Sequence, residues 1–233
     1  VKCIYPRQEY VEIGTGVPIE SDNLVEFHLL YSGPLHSAGK ENPRSEKHAI
    51  RKVFHSQLRR HWETNNYLRE IAVGMGQQVR STGISLENLP IESFEYGARK
   101  LGENWNRGGF NFLPLITKDV CLRCSLDILF LRVDEYPFVF GGSGDIDGRL
   151  KILFDSFRMA ESGELPNGAT PEVGENPFFV LLQDDKLITE VRVKTDRLLK
   201  LPDNKPAGKH DVYLQISVRL NPTIKASYSW VFE

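Results

Sequence analysis

From Val212 to Leu220 every second residue is apolar: Val212, Leu214, Ile216, Val218 and Leu220. The same period of two runs through Val120, Leu122, Cys124, Leu126, Ile128 and Phe130. Side chains alternate faces along a strand, so both runs read as strands, the second extending from Val120 to Val133 and long enough to cross a sheet. A different period governs Ile50, Val53, Phe54, Leu58 and Trp62, which recur at three- and four-residue steps. That spacing predicts a helix from about Glu46 to Trp62, with Ser45 as its N-cap. A chain that carries both periods is expected to fold as an α/β or α+β domain: a mixed sheet with helices packed mainly on one face.

The other segments fit around these. Residues 1–23 read as an N-terminal extension. Leu24 to Tyr31 reads as a first strand, ended by Ser32-Gly33-Pro34-Leu35 because Gly and Pro break a ladder. Residues 64–118 show no clear period and read as an insertion, with Gly-rich patches at Gly74/Gly76 and Gly108-Gly109 and a short apolar run, Leu113–Ile116, holding Pro114. Asp145-Ile146-Asp147-Gly148 opens a second helix whose apolar face is Leu150, Leu153, Phe154 and Phe157. The stretch 161–177 holds three Gly, three Pro and four Glu without periodicity, and reads as an inserted loop. Phe178–Leu182 is a buried-looking strand that runs into Gln183-Asp184-Asp185; Ile188–Lys194 alternates again. Residues 24–233 are therefore expected to form one domain with insertions at about 64–118 and 161–177.

Composition narrows the class. The chain has 233 residues, 40% of them hydrophobic, and a net charge of −2, which excludes a disordered chain. A chain of this length buries roughly 70% of its unfolded surface and needs no disulfide or metal to hold its core. Its longest apolar run, Phe178–Leu182, is far short of the about 20 residues a membrane span needs. The first residues lack the apolar stretch of a secretory signal. Three sparse cysteines fit a reducing compartment, so a cytoplasmic location is expected. Cys121 and Cys124 form a C-x-x-C, but three residues apart on a strand they face opposite sides, and no second pair completes a zinc set.

The chemistry is concentrated in the acids. Asp147, Lys151 and Asp155 are spaced by four and share one helix face, away from the apolar one. Asp145 stands where a Gly-rich turn meets that helix. Such acids could simply offset the helix macrodipole at about 0.3–1 kcal/mol each. Asp184-Asp185, at the end of a buried strand, adds a second group at the sheet edge, where sites in α/β folds tend to form. Two like charges about 4 Å apart repel by roughly 4 kcal/mol at an effective dielectric near 20, so convergence of these groups calls for a cation or for raised pKa values. All-oxygen ligands select hard ions, Mg²⁺ or Mn²⁺, and such an ion beside a lysine suits phosphodiester hydrolysis.

At these residues the sequence resembles the RusA-type Holliday junction resolvases. That family opens a helix with D-x-D-N-x-x-K, carries an Asp in its third turn, ends a strand in D-D and places a lysine about ten residues on. Asp145, Asp147 and Lys151 match the first group, Asp155 the helical acid, Asp184-Asp185 the pair, and Lys194 falls near the last lysine. The resemblance implies a RusA-like fold and a Mg²⁺-dependent endonuclease that acts on branched DNA as a homodimer. In that reading Asp145, Asp147 and Asp185 are metal ligands, Lys151 assists at the phosphate or the attacking water, and Asp155, Asp184 and Lys194 stand behind them. Gly148 replaces the family's Asn, the helix-to-strand loop is long, and the chain is roughly twice the size of a minimal member.

Nucleic acid is the expected partner. Six basic residues and one acid lie between Arg44 and Arg60, a local charge of +5. Arg44, Lys47, Arg51 and Lys52 are the expected contacts, with Lys47, Arg51 and His55 forming a ridge along one helix side; a solvated helix face is the plain alternative. Trp105 and Phe110, near Arg107 and two glycines, either stack on bases or fill the core, and the core is expected. The main competing function is a non-catalytic nucleic-acid-binding or scaffolding protein on the same fold. A small-nucleotide phosphohydrolase is weaker, since no P-loop is present.

Overall fold

The computed structural model describes residues 26–37, 43–76, 91–119, 122–133, 146–161, 163–199 and 208–222. Their order is β1 (Glu26–Pro34), α1 (Pro43–Thr64), α2 (Asn66–Gly76), α3 (Ile91–Glu103), β2 (Asn106–Arg107), β3 (Phe110–Ile116), β4 (Leu122–Arg132), α4 (Ile146–Phe157), β5 (Phe178–Leu182), β6 (Ile188–Arg197) and β7 (Asp211–Pro222). The class is α+β, as the two periods predict. The strands form two sheets rather than one: a four-stranded sheet ordered β1-β7-β4-β6 and a three-stranded sheet ordered β2-β3-β5. Both are mixed. β4 runs antiparallel to β7 and parallel to β6, while β3 runs antiparallel to β2 and parallel to β5.

The alternating strands β4 and β7 pack one face inward. Leu126, Ile128 and Phe130 join Val212, Leu214, Ile216 and Val218 in the main core, against Ile50, Phe54, Leu58 and Trp62 of α1 and Ile152, Leu153 and Phe157 of α4. The unbroken run in β5 has another cause. Phe179 and Leu181 enter that main core, while Phe178 and Val180 enter a second one with Phe110, Phe112, Met159 and Ala160. A strand covered on both faces has no polar side to show.

Three segments differ from expectation. β1 continues through Gly33 and Pro34, which pairs with Asp211. β1 is an edge strand, where a missing N–H interrupts no ladder. Helix α1 starts earlier, at Pro43, a residue suited to a first turn because its N–H would lack a partner there. Residues 64–118 supply α2, α3, β2 and β3 and bury Leu68, Ala72, Phe94, Ala98 and Leu101 in the main core. The loop 161–177 is also built in, with Leu165 and Ala169 packed against the second core. Cys124 is buried in β4 with its thiol pushed up to about 12 by burial, and Phe110 is a core residue. Cys121 and the extension 1–23 lie outside the described residues. Among the described residues no helix is long and apolar enough to cross a membrane.

Candidate functional site

Helix α4 carries Asp147 in its first turn. One Asp147 oxygen accepts the Gly148 N–H at 2.7 Å. Lys151 follows one turn later, exposed, and Asp155 one turn after that, buried. On the other side, β5 ends at Leu182 and the chain turns through Gln183. The Gln183 N–H donates to the Ile116 carbonyl at 2.9 Å, so the end of β5 is tied to the end of β3. Asp184 then caps a single 3-10 turn, Asp185–Leu187, by accepting the Lys186 N–H.

These two elements meet. Asp147, Leu150, Lys151, Phe154, Asp155 and Asp185 line one cavity of about 310 Å³. Residues 30 or more apart in sequence, on a helix and at a strand end, thus share one depression. Leu150 and Phe154 also pack against the main core, so the apolar edge of α4 forms the cavity floor.

The charges are not equivalent. Asp155 is neutralised from below by Lys47 at 2.6 Å and by Arg158 at 3.1 Å. Asp184 forms an ion pair with Lys118 at 3.0 Å. Burial acts to raise the Asp184 pKa, but hydrogen bonds from Lys118, the Lys186 N–H and Asp185 overcome it and hold it down to about 2. Asp185 moves the other way: burial raises it first, its hydrogen bond with Asp184 and the charges of Asp184 and Asp155 add, and Arg158 opposes. The pair thus behaves as one ionised acid beside one that holds its proton more tightly.

The remaining expected residues are distributed as follows. Asp145 lies outside the described residues. Lys194 is exposed on β6, six residues past the strand's start, or about 20 Å along it; it does not line the cavity. The basic ridge of α1 is rearranged. Arg44 is exposed, but Lys47 is engaged with Asp155. Arg51 is 0% exposed, donating to the carbonyls of Asp155 at 2.8 Å and Arg158 at 3.2 Å. Lys52 pairs with Glu172 at 2.6 Å and Glu175 at 3.0 Å. The ridge therefore faces α4 and the acidic loop rather than solvent, and Arg51 is a core residue. Conversely Val53, placed by its spacing on the apolar face, is 38% exposed. Sequence reasoning missed Lys118 and Arg158. Lys118 stands 66 residues from Asp184, so no local spacing could announce it.

Among the described residues no three His, Cys, Asp or Glu side chains are grouped to hold a metal ion. With Asp155 and Asp184 each engaged by a cation, Asp147 and Asp185 are the carboxylates on the cavity wall left to ligate. Two carboxylates fit Mg²⁺, which keeps several waters and takes further oxygens from a phosphate. Comparisons with models of known families, with curated proteins and with solved structures give no match.

Proposed function

We propose that this protein is a metal-dependent endonuclease that hydrolyses phosphodiester bonds in branched or structured DNA, as its resemblance to the RusA-type resolvases implies. The observation that supports the reading is the meeting of Asp147, Lys151, Asp155 and Asp185 on one cavity. In this proposal Asp147 and Asp185, with Asp145, hold Mg²⁺ or Mn²⁺, and Lys47 and Arg158 keep Asp155 from competing for it. A bound Mg²⁺ would supply charge neutralisation at the phosphate and a more acidic bound water. The protein's own groups do the rest. Lys151, one turn beyond Asp147, offers an ammonium to the phosphate oxygens. Asp185, whose carboxyl shares a hydrogen bond with Asp184, would bind the ion as the carboxylate, because a bound cation favours the charged form. Dimerisation is part of the proposal through the resemblance.

The test is a cleavage assay on duplex, flap and four-way DNA, with Mg²⁺ and with chelator. Cleavage that needs Mg²⁺ and is abolished by Asp147→Asn or Asp185→Asn, with binding intact, is the expected result. Undiminished cleavage by either variant would overturn the ligand assignment. A second reading is a non-catalytic nucleic-acid binder, since Gly148 stands where the resolvase pattern has Asn and the helix-to-strand loop is long. Binding without Mg²⁺-dependent cleavage of any substrate in the panel would select it.

A further inference from the structure

A phosphodiester strand that approaches this cavity meets the carboxylates of Asp147, Asp155 and Asp185 on its wall, with Asp184 next to Asp185 in the chain. Each phosphate carries a negative charge, so cations must face it for the strand to come close. The nearby cations differ in what they have left to offer. Lys47 is engaged by Asp155, with 14% of its side chain exposed. Arg158 serves Asp155, Glu161 and Glu164 and is 11% exposed. Lys118 is different. It sits on the turn after β3, its ammonium 3.0 Å from Asp184, with 53% of its side chain exposed. An ammonium has three donors, and the ion pair with Asp184 uses one.

The backbone of Lys118 is held in place although its side chain is open. Its N–H donates to the Gln183 side-chain oxygen at 2.8 Å, and the Gln183 N–H donates back to Ile116 at 2.9 Å. The turn that carries Lys118 is therefore stapled to the turn that carries Asp184 and Asp185. A cation fixed beside the acids loses little freedom when it meets a ligand.

We infer that Lys118 is a phosphate contact of the candidate site, gripping the nucleic-acid backbone from the β3 side while Lys151 reaches it from α4. This rests on the nuclease reading above and deepens it by naming a second, non-local residue that holds the substrate. Lys118 shares its donors between Asp184 and a phosphate oxygen, and it also screens Asp184 from the strand.

The test is binding of a labelled four-way DNA junction and a duplex of equal length, in chelator, across about 50–200 mM salt. Lys118→Gln should weaken binding about 3- to 10-fold and reduce the salt slope by about one. Lys118→Arg should restore both. Asp184→Asn removes the ion pair but leaves the lysine, so it should retain the wild-type slope; a slope reduced as in Lys118→Gln would show that the lysine acts only by holding Asp184, and would overturn the inference. A wild-type slope in Lys118→Gln, with its melting temperature unchanged, would also overturn it. Failure of the wild-type protein to bind either DNA would remove the nuclease reading itself, and this contact with it.

Discussion

At His55 both ring nitrogens are used. Nδ1 accepts the Phe179 N–H at 2.9 Å, and Nε2 faces the Gly174 carbonyl at 3.2 Å. Only the neutral ring protonated on Nε2 satisfies both. Burial accordingly lowers its pKa. Burial also lowers that of His48, aided by Arg51 and Lys52, and takes His61, stacked on Phe27 at 4.3 Å, down to about 4. All three bind protons less readily folded than unfolded. Their contribution is complete above the unfolded value of 6.5 and is lost as pH falls from there towards about 4. Each tenfold difference in proton affinity is worth about 1.4 kcal/mol, so urea midpoints measured from pH 7.5 downward should decline steeply below about 6.5. Flat midpoints down to pH 4.5 would show that these rings are solvated. Arg51 makes a second prediction at this scale. Its guanidinium caps the carbonyls at the end of α4, which otherwise lack partners. Arg51→Met should cost about 3 kcal/mol or more. Lys52→Ala, which breaks a partly exposed pair, should cost under about 1 kcal/mol. Equal losses in denaturant titrations would contradict the assignment of Arg51 to the core.

At the scale of elements, the acidic loop 161–177 explains both what the sequence revealed and what it hid. Glu172 and Glu175 hold Lys52, the Gly174 carbonyl accepts from Arg59 at 3.3 Å, and Glu164 holds Arg158 at 2.8 Å. A four-residue spacing correctly put Lys47, Arg51 and His55 on one side of α1. It could not say that this side is covered, because the covering groups come from more than 100 residues away. The long alternations of β4 and β7 and the helix after Asp145 were legible because their periodicity is local. Residues 64–118 were opaque in part for a physical reason: β3 is apolar on both faces and interrupted by Pro114. The approach of Asp185 to the α4 acids Asp147 and Asp155 was legible, but Lys118 and the pairing of Asp155 were not. If the loop is held to α1 by charge, the double variant Glu172→Gln/Glu175→Gln should loosen it locally. Hydrogen exchange in peptides covering 170–176 should accelerate, while β4 and β7 stay protected. Unchanged exchange would mean that Leu165, Ala169 and the turn hydrogen bonds suffice to hold it.

At the scale of the molecule, the candidate site lies on a seam. α4 reaches it from the helical layer, and the end of β5 reaches it from the small sheet, with the loop 161–177 between them in the chain. An ion bound by both would add a link to those already there, the apolar packing and the Met159 N–H, which donates to the Leu182 carbonyl at 2.9 Å. Binding restricted to the folded state stabilises by mass action, about 2.7 kcal/mol at a hundredfold excess over the dissociation constant. For a domain of this size that raises the melting temperature by about 5–10 °C. Asp147→Asn and Asp185→Asn change the two proposed ligands on opposite sides of the seam, so under the proposal each should abolish the shift on adding Mg²⁺ or Mn²⁺ while the metal-free protein still folds. Asp155→Asn should behave differently. It leaves Lys47 short of its partner and lowers metal-free stability, yet it retains a shift because Asp155 is a counterion to Lys47 and Arg158 rather than a ligand. A shift lost in Asp155→Asn but kept in Asp147→Asn would reverse those roles. It would place the cation deeper, at the third turn of α4, where Lys47 would have to be displaced to admit it.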